Sequence, residues 1–245
     1  MANNKNIVLI MGGPNTGKST SLMNLHNQNK MVYLNTDLKE LPFKDNFLKS
    51  VEVADAASVL SFITEIEAAP QVEGAVLDTL TFLMAMYERQ YVTNSANTQQ
   101  AWGNYATFYK ELIHTIKAGS KDYAILAHAS SELNEQAMRM ETRVPIKGSV
   151  GKTGVEADFT TILGTAQVPI NVLEGHSNAL LHITPEEEED GFKHVFVTRV
   201  TKNTIGEKMR SAMGLWSRDE LYIDNDLNQV FQRLRDYYGT GAVAA

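Results

Sequence analysis

The sequence predicts an α/β fold: a mostly parallel central sheet flanked by helices, with antiparallel strands toward the C-terminus. Three observations carry that expectation. Gly12 to Ser19 fits the phosphate-binding loop G-x-x-x-x-G-K-[ST] without a mismatch, directly after a short apolar run. Buried strand candidates then alternate with helix candidates through the first half, the pattern of parallel strands joined by right-handed crossovers. In the second half the alternation gives way to short apolar runs separated by turn residues.

The elements follow in order. Ile7 to Met11 reads as the first buried strand, and Ser19 to Asn27 as the helix a phosphate loop leads into. Met31 to Asn35 is the second strand. Asp55 stands where a cap is needed for a helix through Glu67, with Val59, Ile63 and Ile66 at helical spacing. Gly74 to Leu77 is a buried strand ending at Asp78. A helical stretch from Phe82 to about Val92 and a polar break from Thr93 to Gln100 precede a strong amphipathic helix. On it Trp102, Tyr105, Tyr109, Leu112 and Ile116 share one face. Tyr123 to Ala127 is the next strand.

Later, Phe159 to Leu163, Ala179 to Ile183 and His194 to Thr198 read as short strands. The last two flank the acidic run Glu186 to Asp190, as an antiparallel hairpin around a solvated turn would. Leu227, Val230, Leu234 and Tyr237 mark a closing helix from about Asn225 to Tyr238. With no linker, low-complexity segment or internal repeat, residues 1–245 are expected to form one domain.

Composition sets limits. At 43% hydrophobic residues, a substantial core can form if most of the chain folds. No apolar run approaches the roughly 18 residues of a membrane span, and no secretion signal precedes the first strand, so a cytoplasmic setting is expected. Absence of cysteine excludes disulfides and thiolate metal sites. A net charge of −7 argues against a surface coated in cations for duplex DNA, but permits a local basic groove.

The chemistry begins at the loop. Gly12, Gly13, Pro14, Asn15, Thr16 and Gly17 let backbone N–H groups turn inward around phosphate oxygens, and the following Thr20 belongs to the same cradle. Lys18 is expected on the β- and γ-phosphates of ATP, and the Ser19 hydroxyl on Mg²⁺. Asp78, at the carboxyl end of a buried strand, is expected to orient the metal shell. Asp37 ends the second strand region and is a candidate to polarise water, with Glu40 as the competing carboxylate. His128 ends the strand from Tyr123 and is a candidate contact to the γ-phosphate; the other five histidines receive no role.

Two further segments are basic. Arg139, Arg143, Lys147 and Lys152 face a single acid between them, Glu141, in a glycine-bearing stretch that reads as a mobile loop suited to a nucleic-acid backbone. Within it, Gly148 to Thr153 imitates a second phosphate loop, but Ile146 occupies the first required glycine and no strand precedes it. Arg199 to Arg210 carries Arg199, Lys202, Lys208 and Arg210, a set from which one cation can reach a neighbour's ATP.

These pieces, in this order, resemble the RecA-like P-loop ATPases, and among them the small phage-encoded members that act in single-strand annealing and recombination. Val200-Thr201-Lys202-Asn203 is similar to the Val-Lys-Asn-Lys stretch of bacterial RecA, whose lysines reach ATP across a subunit interface. The resemblance implies that Lys202 acts in trans, with Thr204 where RecA has its second lysine and Lys208 or Arg210 as substitutes. It implies that Asp37 is the catalytic carboxylate, that His128 stands for the γ-phosphate-sensing Gln, and that the basic segment is a DNA-binding loop. The implied function is an ATP-dependent, single-stranded-DNA-binding recombinase or annealing ATPase. It would assemble head to tail as a homo-oligomeric filament or ring, which the cytoplasm of a host would contain. A DnaB- or KaiC-like motor or loader and a nucleotide-gated binding module with little turnover are the competing expectations; a metabolic kinase is a weaker one.

Overall fold

Strand β1 (Ile7–Gly12) is buried at every position and occupies the interior of an eight-stranded sheet. The computed structural model describes residues 4–239. After β1 the chain runs through β2 (Met31–Asn35), β3 (Lys49–Glu52), α1 (Ser58–Ala68), β4 (Gly74–Asp78), α2 (Leu80–Tyr87), α3 (Thr98–Ala118) and β5 (Asp122–His128). A separate hairpin, β6 (Ser130–Asn134) and β7 (Arg139–Arg143), precedes α4 (Gly148–Thr153) and β8 (Thr161–Pro169). Then come α5 (Ile170–Leu173), α6 (Pro185–Asp190), β9 (Phe192–Val197), β10 (Tyr222–Asp224) and α7 (Leu227–Tyr238).

The sheet order is β10-β9-β8-β1-β5-β4-β2-β3. From β8 to β3 every neighbouring pair is parallel; β9 and β10 are added antiparallel. The expected α/β class, parallel core and antiparallel C-terminal strands are therefore all present. Side chains alternate across the sheet with period two. Leu9, Leu34, Leu77 and Ile125 face one core with α1, α2 and α3. Ile10, Tyr33, Val76 and Leu126 face the other, closed by Phe231 and Leu234 of α7. No described helix is long and apolar enough to cross a membrane.

Three expected elements differ. The segment after the phosphate loop is not an α-helix: only a 3-10 turn forms, at Thr20–Leu22. The reason is side-chain competition for the carbonyls a helix needs. Ser21 Oγ donates to the Lys18 carbonyl at 2.6 Å, and Gln28 Nε2 donates to those of Leu22 and Met23 at 2.8 and 3.1 Å.

Ala179 to Ile183 is not a strand, and the acidic run is not a hairpin turn. It is helix α6, started by a capping box between Thr184 and Glu187 and by Pro185, with acids in the first turn where the helix dipole favours them. The antiparallel partners of β9 are β10 and β8, the latter in the register Gly164↔Val197 to Pro169↔Phe192. Finally, the basic segment is ordered as β7 and α4. Gly148 to Thr153 is the helix itself, in which a Cβ on Gly151 would lie 1.6 Å from the Ile146 carbonyl.

Because α7 closes one face of the central sheet, Phe231→Ala is expected to lower the stability of the whole molecule by about 3–5 kcal/mol. Urea unfolding followed by circular dichroism and by tryptophan emission checks this; the two probes should report a single shifted transition.

Candidate functional site

Sheet register gathers the expected site residues at the carboxyl ends of neighbouring parallel strands. Gly12 pairs with His128 across β1 and β5, and Asn35 pairs with Asp78 across β2 and β4. All four end parallel strands, and the crevice beyond such ends is where open α/β sheets bind ligands. A pocket of about 290 Å³ lies there, lined by Lys18, Ser19, Thr20, Asp37, Asp78 and His128 together with Pro14, Asn15 and Gly17.

The loop is shaped from behind. A Cβ on Gly12 would lie 2.0 Å from Thr165 Oγ1 and 2.5 Å from Thr16 Oγ1, so only glycine fits. Those two hydroxyls are hydrogen-bonded to each other at 2.6 Å, fastening the loop to β8. Gly17 adopts φ +96°, and a Cβ there would meet Asn225 Nδ2 at 2.6 Å. Asn225 Nδ2 donates to the Gly17 carbonyl at 2.8 Å, and His194 Nε2 lies 3.1 Å from the Asn15 carbonyl. Lys18 Nζ donates to the carbonyls of Gly12 and Gly13 at 3.0 and 2.5 Å. Burial lowers the Lys18 ammonium below its ordinary pKa, against the opposing pull of Asp78 and Asp37.

Asp78 is buried, with two hydroxyls on one oxygen. Ser19 Oγ donates to Oδ2 at 3.0 Å and Tyr33 Oη at 2.9 Å. Burial raises its carboxyl above the usual range, and the bonds from Tyr33 and Ser19 oppose that rise. The pairing of a hydroxyl with a carboxylate supplies hard oxygen ligands, which suit Mg²⁺. Among the described residues no cluster of three His, Cys, Asp or Glu side chains offers a metal site by itself. Such a pair fits a metal that draws its remaining ligands from phosphate and water.

Asp37 lines the pocket and pairs with Lys39 at 3.2 Å; Glu40 is exposed and is not part of the lining. The geometry thus favours Asp37 of the two carboxylates. His128 is half-buried, its ring set edge-on to Phe82 at 5.1 Å, and its buried Nε2 has no hydrogen-bond partner among the described residues. Burial lowers its pKa, and the nearby Lys18 charge adds to that.

The remaining residues lie elsewhere. Lys202 is exposed, outside the pocket, and without an ion pair among the described residues. Arg210 is not available as a second reaching cation: its guanidinium donates to the carbonyls of Glu156, Ala157 and Phe159 of its own chain. Lys208 pairs with Glu141 at 3.2 Å.

The basic segment is also more neutral than its composition suggests. Arg139 pairs with Glu141, Arg143 with Glu132 and Lys147 with Glu88; Lys152 is exposed and has no ion pair among the described residues. Arg139, with Lys208 next, holds the Glu141 carboxyl down at about 2. The hairpin also touches the loop that carries Lys202, through Thr142 N–H to the Gly206 carbonyl at 3.0 Å.

Sequence reasoning missed Tyr33, Thr165, His194 and Asn225. Tyr33 carried a faint signal, a lone hydroxyl in an otherwise apolar strand core. The other three act through packing between segments far apart in the chain, which motif spacing does not encode.

A family model described as AAA domain matches residues 4–169, more than half of the chain. The match ends with β8, so His194 and Asn225 lie beyond it. No curated protein matches the chain.

Gly12→Ala is expected to reduce Mg-ATP binding at least tenfold, the effect of about 1.4 kcal/mol or more of steric conflict. Adding Thr165→Ala should recover only part of the loss, because Thr16 Oγ1 still crowds the new methyl; titration with a fluorescent ATP analogue reads both. Asp78 gives a second outcome. A carboxyl raised in the folded state contributes most stability below the ordinary Asp range and loses it as pH rises through the raised value. Its charge therefore opposes folding at pH 7. Asp78→Asn should raise the melting temperature of the nucleotide-free protein while abolishing Mg-dependent turnover. Differential scanning calorimetry at pH 7, beside a phosphate-release assay, checks the pair.

Proposed function

Because the chain belongs to the AAA domain family of P-loop ATPases, we propose that it hydrolyses ATP to ADP and phosphate with Mg²⁺, at sites shared between head-to-tail neighbours. We propose further that it uses the nucleotide to control binding of single-stranded DNA, as a RecA-like recombinase or annealing ATPase of the phage-encoded kind does. The observation that carries this reading is His128. Its unpartnered Nε2 belongs to the residue lining the pocket with Lys18, Ser19 and Asp78, and hairpin β6–β7 begins two residues later. Events at the terminal phosphate therefore have a short covalent route to Arg139 and Arg143.

In this reading residues 12–20 cradle the phosphates and Lys18 neutralises them. Ser19 and Asp78 would hold Mg²⁺, which would supply neutralisation of the triphosphate's negative charge. Asp37 accepts a proton from water as the water oxygen bonds to the γ-phosphorus. The bond from that phosphorus to the β–γ bridging oxygen breaks, leaving ADP and phosphate. His128, kept neutral by burial, offers a ring N–H to a γ-phosphate oxygen. Lys202, exposed and without an ion pair among the described residues, serves a neighbour's nucleotide in this reading. The Thr142–Gly206 bond links its loop to the hairpin, so the neighbour's nucleotide and the DNA segment are joined mechanically.

A second reading, a DnaB- or KaiC-like motor or loader acting on a protein, is favoured by one feature. The hairpin's arginines are paired with acids, while Leu133, Met138 and Met140 are 59, 82 and 55% exposed.

Mixing variants tests the shared site. Lys18→Ala and Lys202→Ala are each expected to lose ATP turnover, and an equal mixture to recover about a quarter of the wild-type rate, since one interface in four then joins an intact loop to an intact lysine. No recovery would count against Lys202 acting in trans. Single-stranded oligonucleotide binding, titrated with a slowly hydrolysed ATP analogue, should weaken steeply with salt. Absence of binding at low salt would leave the protein-directed reading.

A further inference from the structure

The turn after β2 carries two opposite charges, and the fold holds both over one pocket. Buried Asn35 accepts the Leu38 N–H at 2.8 Å and donates Nδ2 to the Lys39 carbonyl at 3.0 Å. That two-point clasp bends the chain at Leu38, whose φ of +57° is uncommon for a leucine. Thr36 ties the turn to β4: its Oγ1 donates to the Thr79 carbonyl and accepts from the Thr79 N–H, each at 2.8 Å. The turn is thereby fixed relative to Asp78. Asp37 and Lys39 both line the pocket and pair at 3.2 Å. The Lys39 ammonium lies 5.9 Å from the centre of the Phe82 ring, the same ring that meets His128.

We propose that Lys39 is a second phosphate-binding cation of this site, resting on Asp37 and moving to the terminal phosphate of a nucleoside triphosphate. This rests on the ATPase reading. A triphosphate brings negative charge beside two carboxylates, Asp37 and Asp78, and Lys18 is the only buried cation of the pocket lining. Lys39 supplies the missing positive charge. Its side chain is 73% exposed against 18% for Asp37, so water screens the lysine end of the pair and the ammonium can exchange Asp37 for phosphate. A compact ammonium on a flexible stem suits such a transfer. Lys39 already opposes protonation of Lys18 and His128, which sets its charge within reach of the phosphate end. Its departure also removes the ion pair on Asp37, freeing that carboxylate to accept a proton from water.

The test compares Mg²⁺ complexes of ADP and of a slowly hydrolysed ATP analogue by titration calorimetry. Lys39→Ala is expected to weaken the analogue about tenfold, the loss of one charge-assisted contact, and ADP by less than about twofold. Lys39→Arg should keep most of the preference for the triphosphate. Equal weakening of both nucleotides, or weakening of neither, overturns the role of Lys39 while the ATPase reading stands. A wild-type protein that binds neither nucleotide overturns both.

Discussion

The hydrogen bond from Ser19 to Asp78 joins the end of the phosphate loop to the end of β4, and the parallel core is arranged around it. A carboxylate this deeply buried is unfavourable unless donors surround it. Two hydroxyls meet that need, Ser19 from the loop and Tyr33 from the neighbouring strand β2. The bond therefore ties together the carboxyl ends of β1, β4 and β2, with Asn35 level with Asp78 and Gly12 extending two residues further. Chemistry and architecture share one constraint: the carboxylate that fits a metal is also the group whose burial most needs the fold.

Much of the core was legible in sequence because its signals are local. Short apolar runs name the buried strands β1, β2, β4 and β5, and the glycine-lysine-serine spacing names the loop. Asp78 was legible because a polar residue closing a buried run is conspicuous. The departures arise where side chains act on distant backbone. Gln28 removes two carbonyls from a helix that periodicity alone would grant, and this requires the chain to double back. Thr184 and Glu187 spell a capping box, but a run of five acids equally fits a solvated turn. Hairpin β6–β7 lacks a clean apolar alternation, and its strands are held by cross-strand partners such as Glu132 and Arg143, visible only once paired.

The same contrast applies to charge. Counted along the chain, residues 139–152 are basic. Counted in space, acids from β6, from β7 and from residue 88 stand beside three of the four cations. Any phosphate polymer that binds there must displace carboxylates, so the field it meets is set by ion-pair exchange rather than by net charge. Lys39 and Asp37 show the same arrangement at the nucleotide pocket, where a cation is stored on an acid.

The brace behind the phosphate loop has a consequence for synthesis on the ribosome. The bond from Asn225 to the Gly17 carbonyl spans 208 residues, and that from His194 to Asn15 spans 179. Contacts so far apart in sequence form late. Although Gly12 to Ser19 is translated well before residues 194 and 225, its final shape waits for them. A nascent chain that has β8 but not yet β9 and β10 holds the loop by the Thr16–Thr165 contact, without the Asn225 and His194 contacts.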